Sequence, residues 1–478
     1  MSELSAADVE SGTRGTLITG LRETVFSHVS IDTRTLEGGD VFFAIRGPNQ
    51  DGHRFIPNAF SQGALGAVAE AEYQYPGEIP AGRVLVKVAD THEALKNLAT
   101  WVRRRWTGTL VAVTGSMGKT TTREFCAHIL MSQFSVYRTP GNYNNLFGLP
   151  LALFGLSAGQ DFGIFEMGMS APGEIAEMCR IAAPTVGIIT NVAPVHLEFF
   201  NSTEDIARAK GELVEALPSD GILIYSADDP LVQGIARKFA GRRLSFGFSK
   251  NAEVRADGIE IAGLNETRFR LSCCGESKEA AIPLAGAHYV MNALAAVALG
   301  SVFNVPLGRM VEAFGTLQQA DMRGQVLHFR KGFTVIDDSY NSNPSALMKM
   351  IEVLSGTPSF ARRILIAGEM LELGSSSGPL HFECGTIAAS CGIDLVIGVR
   401  GTAREIVRAA VQAGMPESRA LFYPDSEAAA DFIRCEIRSG DLVLIKGSRG
   451  VHMEKIVQRL RADFELNPAP TGASGGTK

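Results

Sequence analysis

Apolar residues along the chain fall into short β-branched runs separated by longer stretches of helical period. Thr109–Val113, Phe162–Phe165 and Val186–Thr190 predict buried strands, with helical patterns between them. Phe333–Ile336, Ile364–Ala367, Leu395–Val399, Leu421–Tyr423 and Leu442–Ile445 repeat the arrangement, separated by patterns such as Ser345–Leu354 and Thr402–Ala413. Strands that are apolar throughout and alternate with helices imply parallel sheets covered on both faces. The first hundred residues differ, with strand-like runs at Val41–Ile45 and Arg83–Val88 and Ala- and Gly-rich stretches between. The expected fold class is α/β with three domains. These are a small N-terminal α/β domain over residues 1–105, a central parallel-sheet domain over 106–325, which holds the glycine-rich phosphate-loop segment described below, and a C-terminal Rossmann-like domain over 326–478. Arg103–Arg105, at the first boundary, predicts a solvated helix end, and Asn467–Lys478, rich in Pro, Gly, Ser and Thr, predicts a disordered tail.

Composition narrows the function classes. At 478 residues the chain has room for several cores, and 45% hydrophobic with 20% charged residues is ordinary for a soluble protein. A net charge of −6 argues against a surface that coats nucleic acid, though a basic pocket for an anion fits within it. The seven cysteines form no CxxC pair, which disfavours a zinc ribbon and predicts reduced thiols in a cytoplasmic protein. Met1–Thr13 is polar and acidic, unlike a signal peptide. Leu284–Val302 is apolar but carries His288 and Asn292, which predicts a buried core helix and no membrane span.

The most chemically specific segment is Thr114–Thr121, which follows the Thr109–Val113 run and opens a helix to about Leu130. Its Gly115, Ser116, Gly118, Lys119, Thr120 and Thr121 place a glycine-rich turn ahead of a helix N-terminus. Backbone N–H groups there form an anion site, with Lys119 for the β/γ-phosphates and the Thr120 hydroxyl for Mg²⁺. Val113 stands where the longer Walker pattern has its first glycine.

Ligands in open α/β sheets bind outside the carboxyl ends of strands. Glu166 ends one predicted strand, Asn191 the next, and His196 follows in the loop. A helix is predicted from Thr203 to Leu217, with Ser202 and Asp205 at capping-box spacing. Ile206, Leu213 and Leu217 share its inward stripe with Lys210, while Glu204, Arg208, Glu212 and Glu215 fall mostly on the other side. A lysine on that stripe must snorkel outward, pair with an acid or change chemically.

With these motifs in place the chain resembles the Mur ligase family over nearly its whole length. The matching blocks are Asp32-Thr33-Arg34, Gly47 through Asp51-Gly52-His53, the phosphate loop, Gly141–Asn145, Glu166-Met167-Gly168 and Asn191 through Glu198. Ala209–Glu212, His288 with Asn292, Asp338–Pro344, Gly368–Gly374 with His381, and Lys446–Gly450 complete them. Met117, where the loop usually has Asn, and Leu146, where a charged residue is common, depart from the pattern.

The resemblance implies an ATP-dependent ligase of peptidoglycan precursor synthesis. Its branch adds D-alanyl-D-alanine to UDP-N-acetylmuramoyl-tripeptide through an acyl-phosphate. Asp32, Thr33, Arg34 and His53 would serve the uridine nucleotide, and Asn142, Asn144 and Asn145 a loop that reaches the substrate. Thr120 and Glu166 would hold a first Mg²⁺, and His196 with a carbamylated Lys210 a second. Asn292 would lie beside the adenine, and Arg323 and Asp338 beside phosphate and ribose, with Asp337 an alternative acid. Tyr340, Asn341 and Asn343 would bind substrate, and Lys446 would lie near the dipeptide. A monomer that binds neither nucleic acid nor membrane is expected. The rival expectations are a folate polyglutamate-type ligase, which the N-terminal blocks disfavour, a P-loop ATPase without ligation, and an inactive binding protein.

Overall fold

The computed structural model describes residues 4–47, 49–195, 197–317 and 321–467, so the expected tail beyond Asn467 lies outside them. The chain divides into two compact units, Met1–Asn191 with Ala207–Arg255 and Asn292–Met310, and Val192–Ile206 with Ala256–Met291 and Val311–Lys478.

In the first unit, residues 16–88 build a five-stranded sheet in the order Thr16–Thr19, Val84–Val88, Gly66–Glu70, Val41–Phe43, Val29–Ser30. Only the Thr16–Thr19 edge is antiparallel. A second sheet runs parallel in the order Val136–Arg138, Phe162–Glu166, Thr109–Thr114, Val186–Ile189, Ile222–Ser226, Arg242–Gly247. The predicted strands are there, each within one or two residues of its expected bounds. Leu110–Val113 and Ile188 are fully buried, as a sheet covered on both faces requires.

Strand order arranges the chemistry. Thr109–Thr114 lies between Phe162–Glu166 and Val186–Ile189, with Glu166 opposite Val113 and Ile189 opposite Thr114. Three carboxyl ends that are far apart in sequence therefore open side by side.

The second unit holds a six-stranded sheet in the order Gln325–His328, Thr334–Asp338, Asp441–Lys446, Arg362–Gly368, Leu395–Val399, Ala420–Tyr423. All pairs but the first are parallel. The chain passes from Asp338 over one strand position before returning to fill it with Asp441–Lys446. That switch brings the ends of Asp338, Lys446 and Gly368 together. The antiparallel hairpin Thr267–Cys273/Glu276–Ile282 was not expected. Its alternating burial is the half-solvated antiparallel kind, which an eye set for continuous apolar runs passes over.

The reading of Arg103–Arg105 needs correction. The helix Thr91–Arg105 does end there, but Arg103 is buried. It donates to the carbonyls of Ala182 (2.6 Å), Ala183 (3.0 Å) and Trp106 (3.0 Å), so it satisfies acceptors at the end of the helix Glu174–Ala182.

Candidate functional site

The helix Lys119–Met131 begins unlike several others in the chain. Asp90, Asp229, Asn343 and Asp425 cap their helices with side-chain oxygens. At the phosphate loop the cap position is Gly118, with φ +80° and no side-chain bond. The amides of a helix's first turn have no partner inside the helix, so an uncapped start presents them to an incoming anion.

The loop is built to keep that shape. Gly115 has φ +149°, and a Cβ there would lie 1.9 Å from Thr190 Oγ1. Asn191 accepts from the Ser116 N–H through its carbonyl and from the Met117 N–H through its side chain, both at 2.9 Å. Its amide nitrogen and the Thr190 hydroxyl both donate to the Met117 carbonyl, at 3.1 and 2.6 Å. Met117 is thus held by its backbone, so the shape of the turn does not depend on the side chain at that position. A Gly115→Ala chain should lose at least about 1–3 kcal/mol of stability in chemical denaturation, because the methyl group overpacks against a fixed neighbour. An unchanged denaturation midpoint would refute this account of the turn.

Glu166 is 3% exposed beside this loop. It accepts from the Thr120 hydroxyl (2.6 Å) and the Asn144 amide (2.7 Å), and Arg123 Nη1 stands 3.6 Å away. Burial alone would raise its carboxyl. Lys119, the Thr120 hydroxyl, Arg123 and Asn144 outweigh it and hold the group below the ordinary carboxylate range. Thr120 and Glu166, expected together, are in contact, Asn144 of the expected substrate loop joins them, and Glu166 is an anion at neutral pH. Lys119 Nζ turns back onto the Gly115 carbonyl at 2.8 Å. Asn145 caps the next helix by accepting from the Phe147 and Gly148 N–H groups, while Asn142 is exposed.

Arg123 was missed. It is 3% exposed, donates to the Gly141 carbonyl (2.9 Å) and pairs with Glu124 (2.6 Å). It therefore ties the phosphate-loop helix to the Gly141–Asn145 loop. Its spacing of three residues from Thr120 on one helical face was the available signal.

Lys210 sits in the helix Thr203–Ala216 and is 2% exposed, between Ile206 and Leu213 on the inward stripe. It neither snorkels nor pairs with an acid among the described residues. Burial, and then the charge of Lys119, hold its amine well below the ordinary lysine range. Glu212, on the side opposite Lys210 as expected from the period, accepts from the Gly173 (2.7 Å) and Ala176 (2.9 Å) N–H groups. It supplies the cap that Gly173 cannot. His196 lies outside the described residues. Among the described residues no three His, Cys, Asp or Glu side chains gather into a metal site, and the expected set has one described carboxylate, Glu166.

Asn292 is 8% exposed, accepts from Thr122 Oγ1 at 3.2 Å, and its Oδ1 lies 2.5 Å from where a Gly118 Cβ would be. It packs directly on the start of the phosphate-loop helix. In the N-terminal part, Asp32 and Arg34 bind each other in a fork at 2.9 and 2.6 Å, with Arg34 exposed. His53 is buried, accepts from the Glu70 N–H at 2.9 Å and meets Asp51 at 2.6 Å.

In the second unit the structure separates the two acids that the sequence left open. Asp337 is 3% exposed and bound by Ser339, and burial raises its carboxyl. Asp338 pairs with Lys446 at 2.6 Å, and Lys446 also donates to the Asn341 carbonyl at 2.9 Å. Asn343 caps the helix Pro344–Gly356 through the Ala346 N–H. Arg323 lies over the Tyr340 ring, 4.1 Å from its centre. His381 accepts from the Met370 N–H (2.9 Å), which places its proton on Nδ1 toward the Ser377 carbonyl (2.7 Å). It thereby fixes the Gly368–Gly374 loop. That loop accepts, at the Glu372 carbonyl, from the N–H of Glu198, two residues past position 196.

Known proteins match this arrangement. Residues 113–300 match the Mur ligase middle domain, 322–449 the Mur ligase glutamate ligase domain, and 25–102 the Mur ligase family catalytic domain. A UDP-N-acetylmuramoyl-tripeptide--D-alanyl-D-alanine ligase of Bacillus subtilis is 31% identical over 96% of this chain and 99% of its own length. The Escherichia coli ligase of that name is 33% identical over 91% of this chain and 93% of its own. Among solved structures, MurF from Acinetobacter baumannii superimposes with a TM-score of 0.85 at 28% identity, covering 97% of this chain and 99% of that one. MurF ligase from Thermotoga maritima in complex with ADP gives 0.79 at 27%, covering 91% and 97%. With its uncapped phosphate loop, its buried carboxylate and family matches along most of its length, the chain belongs to the Mur ligase family.

Proposed function

We propose that this protein is an ATP-dependent ligase that adds D-alanyl-D-alanine to UDP-N-acetylmuramoyl-tripeptide, giving the pentapeptide precursor of peptidoglycan with ADP and phosphate. The observation that carries the reading is the uncapped helix at Gly118 with Thr120 and Glu166 bonded beside it, in a chain collinear with ligases of that name.

The chemistry follows from the difficulty of the bond. A carboxylate has no good leaving group, so its oxygen attacks the γ-phosphorus of ATP, ADP leaves, and an acyl-phosphate forms. The dipeptide amine then attacks the acyl carbon, the amide forms, and phosphate and the amine's proton depart. The first-turn amides and Lys119 would stabilise charge on the transferring phosphoryl group. The nucleophiles belong to the substrates, so no Ser or Cys of the chain need serve as one.

The residues fit Mg²⁺, a hard cation that takes oxygen ligands. Glu166 is an anion and Thr120 a hydroxyl on the loop itself. Bound Mg²⁺ would neutralise phosphate charge. Glu166 and Thr120 would hold one ion, His196 and Lys210 another. A buried ammonium without a counter-charge is costly, and the carbamate formed by CO₂ on the Lys210 amine replaces it with an oxygen anion.

Asp32, Thr33, Arg34 and His53 would serve the uridine nucleotide, and Asn142 and Asn144 the acceptor peptide. Asn292 would lie at the adenine, Arg323 and Asp338 at the nucleotide, and Tyr340, Asn341 and Lys446 near the dipeptide. Asn145 and Asn343 act as helix caps and shape their loops. The domains proposed are residues 1–105 for the UDP substrate, 106–325 for ATP and 326–478 for the dipeptide. We read the protein as a cytoplasmic monomer; no helix among the described residues is long and apolar enough to cross a membrane.

The test is phosphate release from ATP with UDP-muramoyl-tripeptide, with and without D-alanyl-D-alanine. Turnover should require both and yield a product one dipeptide heavier. Equal turnover with a single free amino acid would sink the assignment to this branch. ATP hydrolysis indifferent to both would favour a simple ATPase.

A further inference from the structure

A cleft of about 230 Å³ in the first unit is lined by four arginines, Arg14, Arg104, Arg105 and Arg180, together with Trp101, and by no carboxylate. The arginines come from three helices. Arg14 follows Ala6–Thr13, Arg104 and Arg105 end Thr91–Arg105, and Arg180 lies in the last turn of Glu174–Ala182. No acid pairs with Arg14, Arg104 or Arg105 among the described residues. Arg180 reaches Glu177 only at 3.6 Å, and Glu177 is already engaged by Lys96.

Basic residues at helix C-termini have an ordinary explanation in the helix dipole. Three C-termini offer about half a negative charge each, roughly −1.5 in all, against four guanidinium charges. The dipoles therefore leave most of the positive charge uncompensated, in a chain whose net charge is −6. Arg14 adds a second indication. It occupies a left-handed cap with φ +58°, although Gly15 follows it directly. The conformation costs an L-residue about 1–2 kcal/mol relative to the right-handed region, and glycine takes it freely.

The cleft is not the nucleotide site. Arg104 and Arg105 precede the strand Thr109–Thr114, and the phosphate loop follows it. Six strand residues at about 3.3 Å each separate the two ends by roughly 20 Å. None of Asp32, Thr33, Arg34 or His53 lines it. Its volume falls below the roughly 300–1,000 Å³ of sites that enclose drug-sized ligands, which suits a small anion better than a whole nucleotide-linked peptide. Guanidinium forks match phosphate oxygens in pairs.

We propose that this cleft is a second anion site, which takes the phosphate or diphosphate group of a small soluble metabolite.

The chain supplies its own reporter, because it has two tryptophans. Trp101 lines the cleft with the Arg105 guanidinium 3.2 Å from its ring centre, while Trp106 is buried with its indole N–H donating to Ser157. Protein labelled with 5-fluorotryptophan should give two ¹⁹F signals, assigned by Trp106→Phe. Pyrophosphate added at constant ionic strength should move the Trp101 signal saturably and leave Trp106 in place. The shift should persist in Lys119→Ala, whose phosphate loop is impaired. Arg14→Gln and Arg104→Gln, both at exposed positions, should each weaken binding by about tenfold or more. Three results would each overturn the proposal: an equal shift with chloride, a saturable shift that survives both arginine substitutions, or a shift that disappears in Lys119→Ala.

Discussion

Lys119→Ala should lower ligase turnover by about 10²–10³-fold or more, the usual cost of removing a preorganised group that meets developing charge. The reason lies in the geometry of the loop. Lys119 is the first residue of an uncapped helix, with its Nζ 2.8 Å from the Gly115 carbonyl. It requires only a change of partner to reach a phosphate on the loop. Its side chain is half-buried at a loop-to-helix junction, so truncation should leave the fold intact. Circular dichroism and denaturation midpoint should therefore match the parent while phosphate release falls. A near-parental rate in a folded Lys119→Ala protein would remove the phosphate loop from the mechanism. Loss of fold would show that the lysine is structural instead.

Lys210→Ala should be nearly inactive and still folded. On the proposed carbamate, the substitution removes an oxygen ligand from a metal that would neutralise phosphoryl charge, which is worth several kcal/mol, so a fall of about 10³-fold is expected. The fold should survive because truncation removes a buried amine that pairs with no acid among the described residues, from between Ile206 and Leu213. Activity alone would not identify a carbamate, so the decisive measurement is ¹³C NMR after equilibration with labelled bicarbonate. A carbamate signal should appear in the parent and be absent from Lys210→Ala. Its formation joins neutral amine to CO₂ and releases one proton. Burial, and then the charge of Lys119, lower the amine's pKa and so raise the share of its reactive neutral form. Acidification drives the reaction backward, so signal and activity should fall together as pH falls. An enzyme fully active at saturating ATP with no such signal would overturn the carbamate.

Much of this site was legible before any fold was known. The strand–turn–helix of Thr109–Met131 rests on a β-branched run, two glycines at positions of positive φ and a helical period. The inward placement of Lys210 followed from the 3.6-residue period, and its burial at 2% agrees. Glu166 at the end of its strand was likewise a matter of counting. All of these depend on neighbours within a few residues, where side-chain size and backbone sterics act directly.

Other features depend on which segments meet, and local spacing does not encode that. Strand order set Glu166 and Asn191 on either side of the phosphate loop, and it made Asn191 the brace of Met117. The crossover in the second sheet paired Asp338 with Lys446 and buried Asp337 under Ser339, which separated two adjacent acids that look equivalent in sequence. Arg103, read as solvated, was drawn inside by helix-end carbonyls some eighty residues away. Glu212, read as lying on the face opposite Lys210, was claimed by two amides of another helix. The sequence by itself determined the phosphate loop, the strands and the inward lysine, because short-range sterics and hydrophobic period fix them. The tertiary structure alone decided the partners of Asn191, Arg103, Arg123, Glu212 and Asp338, because a buried polar group must be satisfied by whatever long-range packing brings within reach.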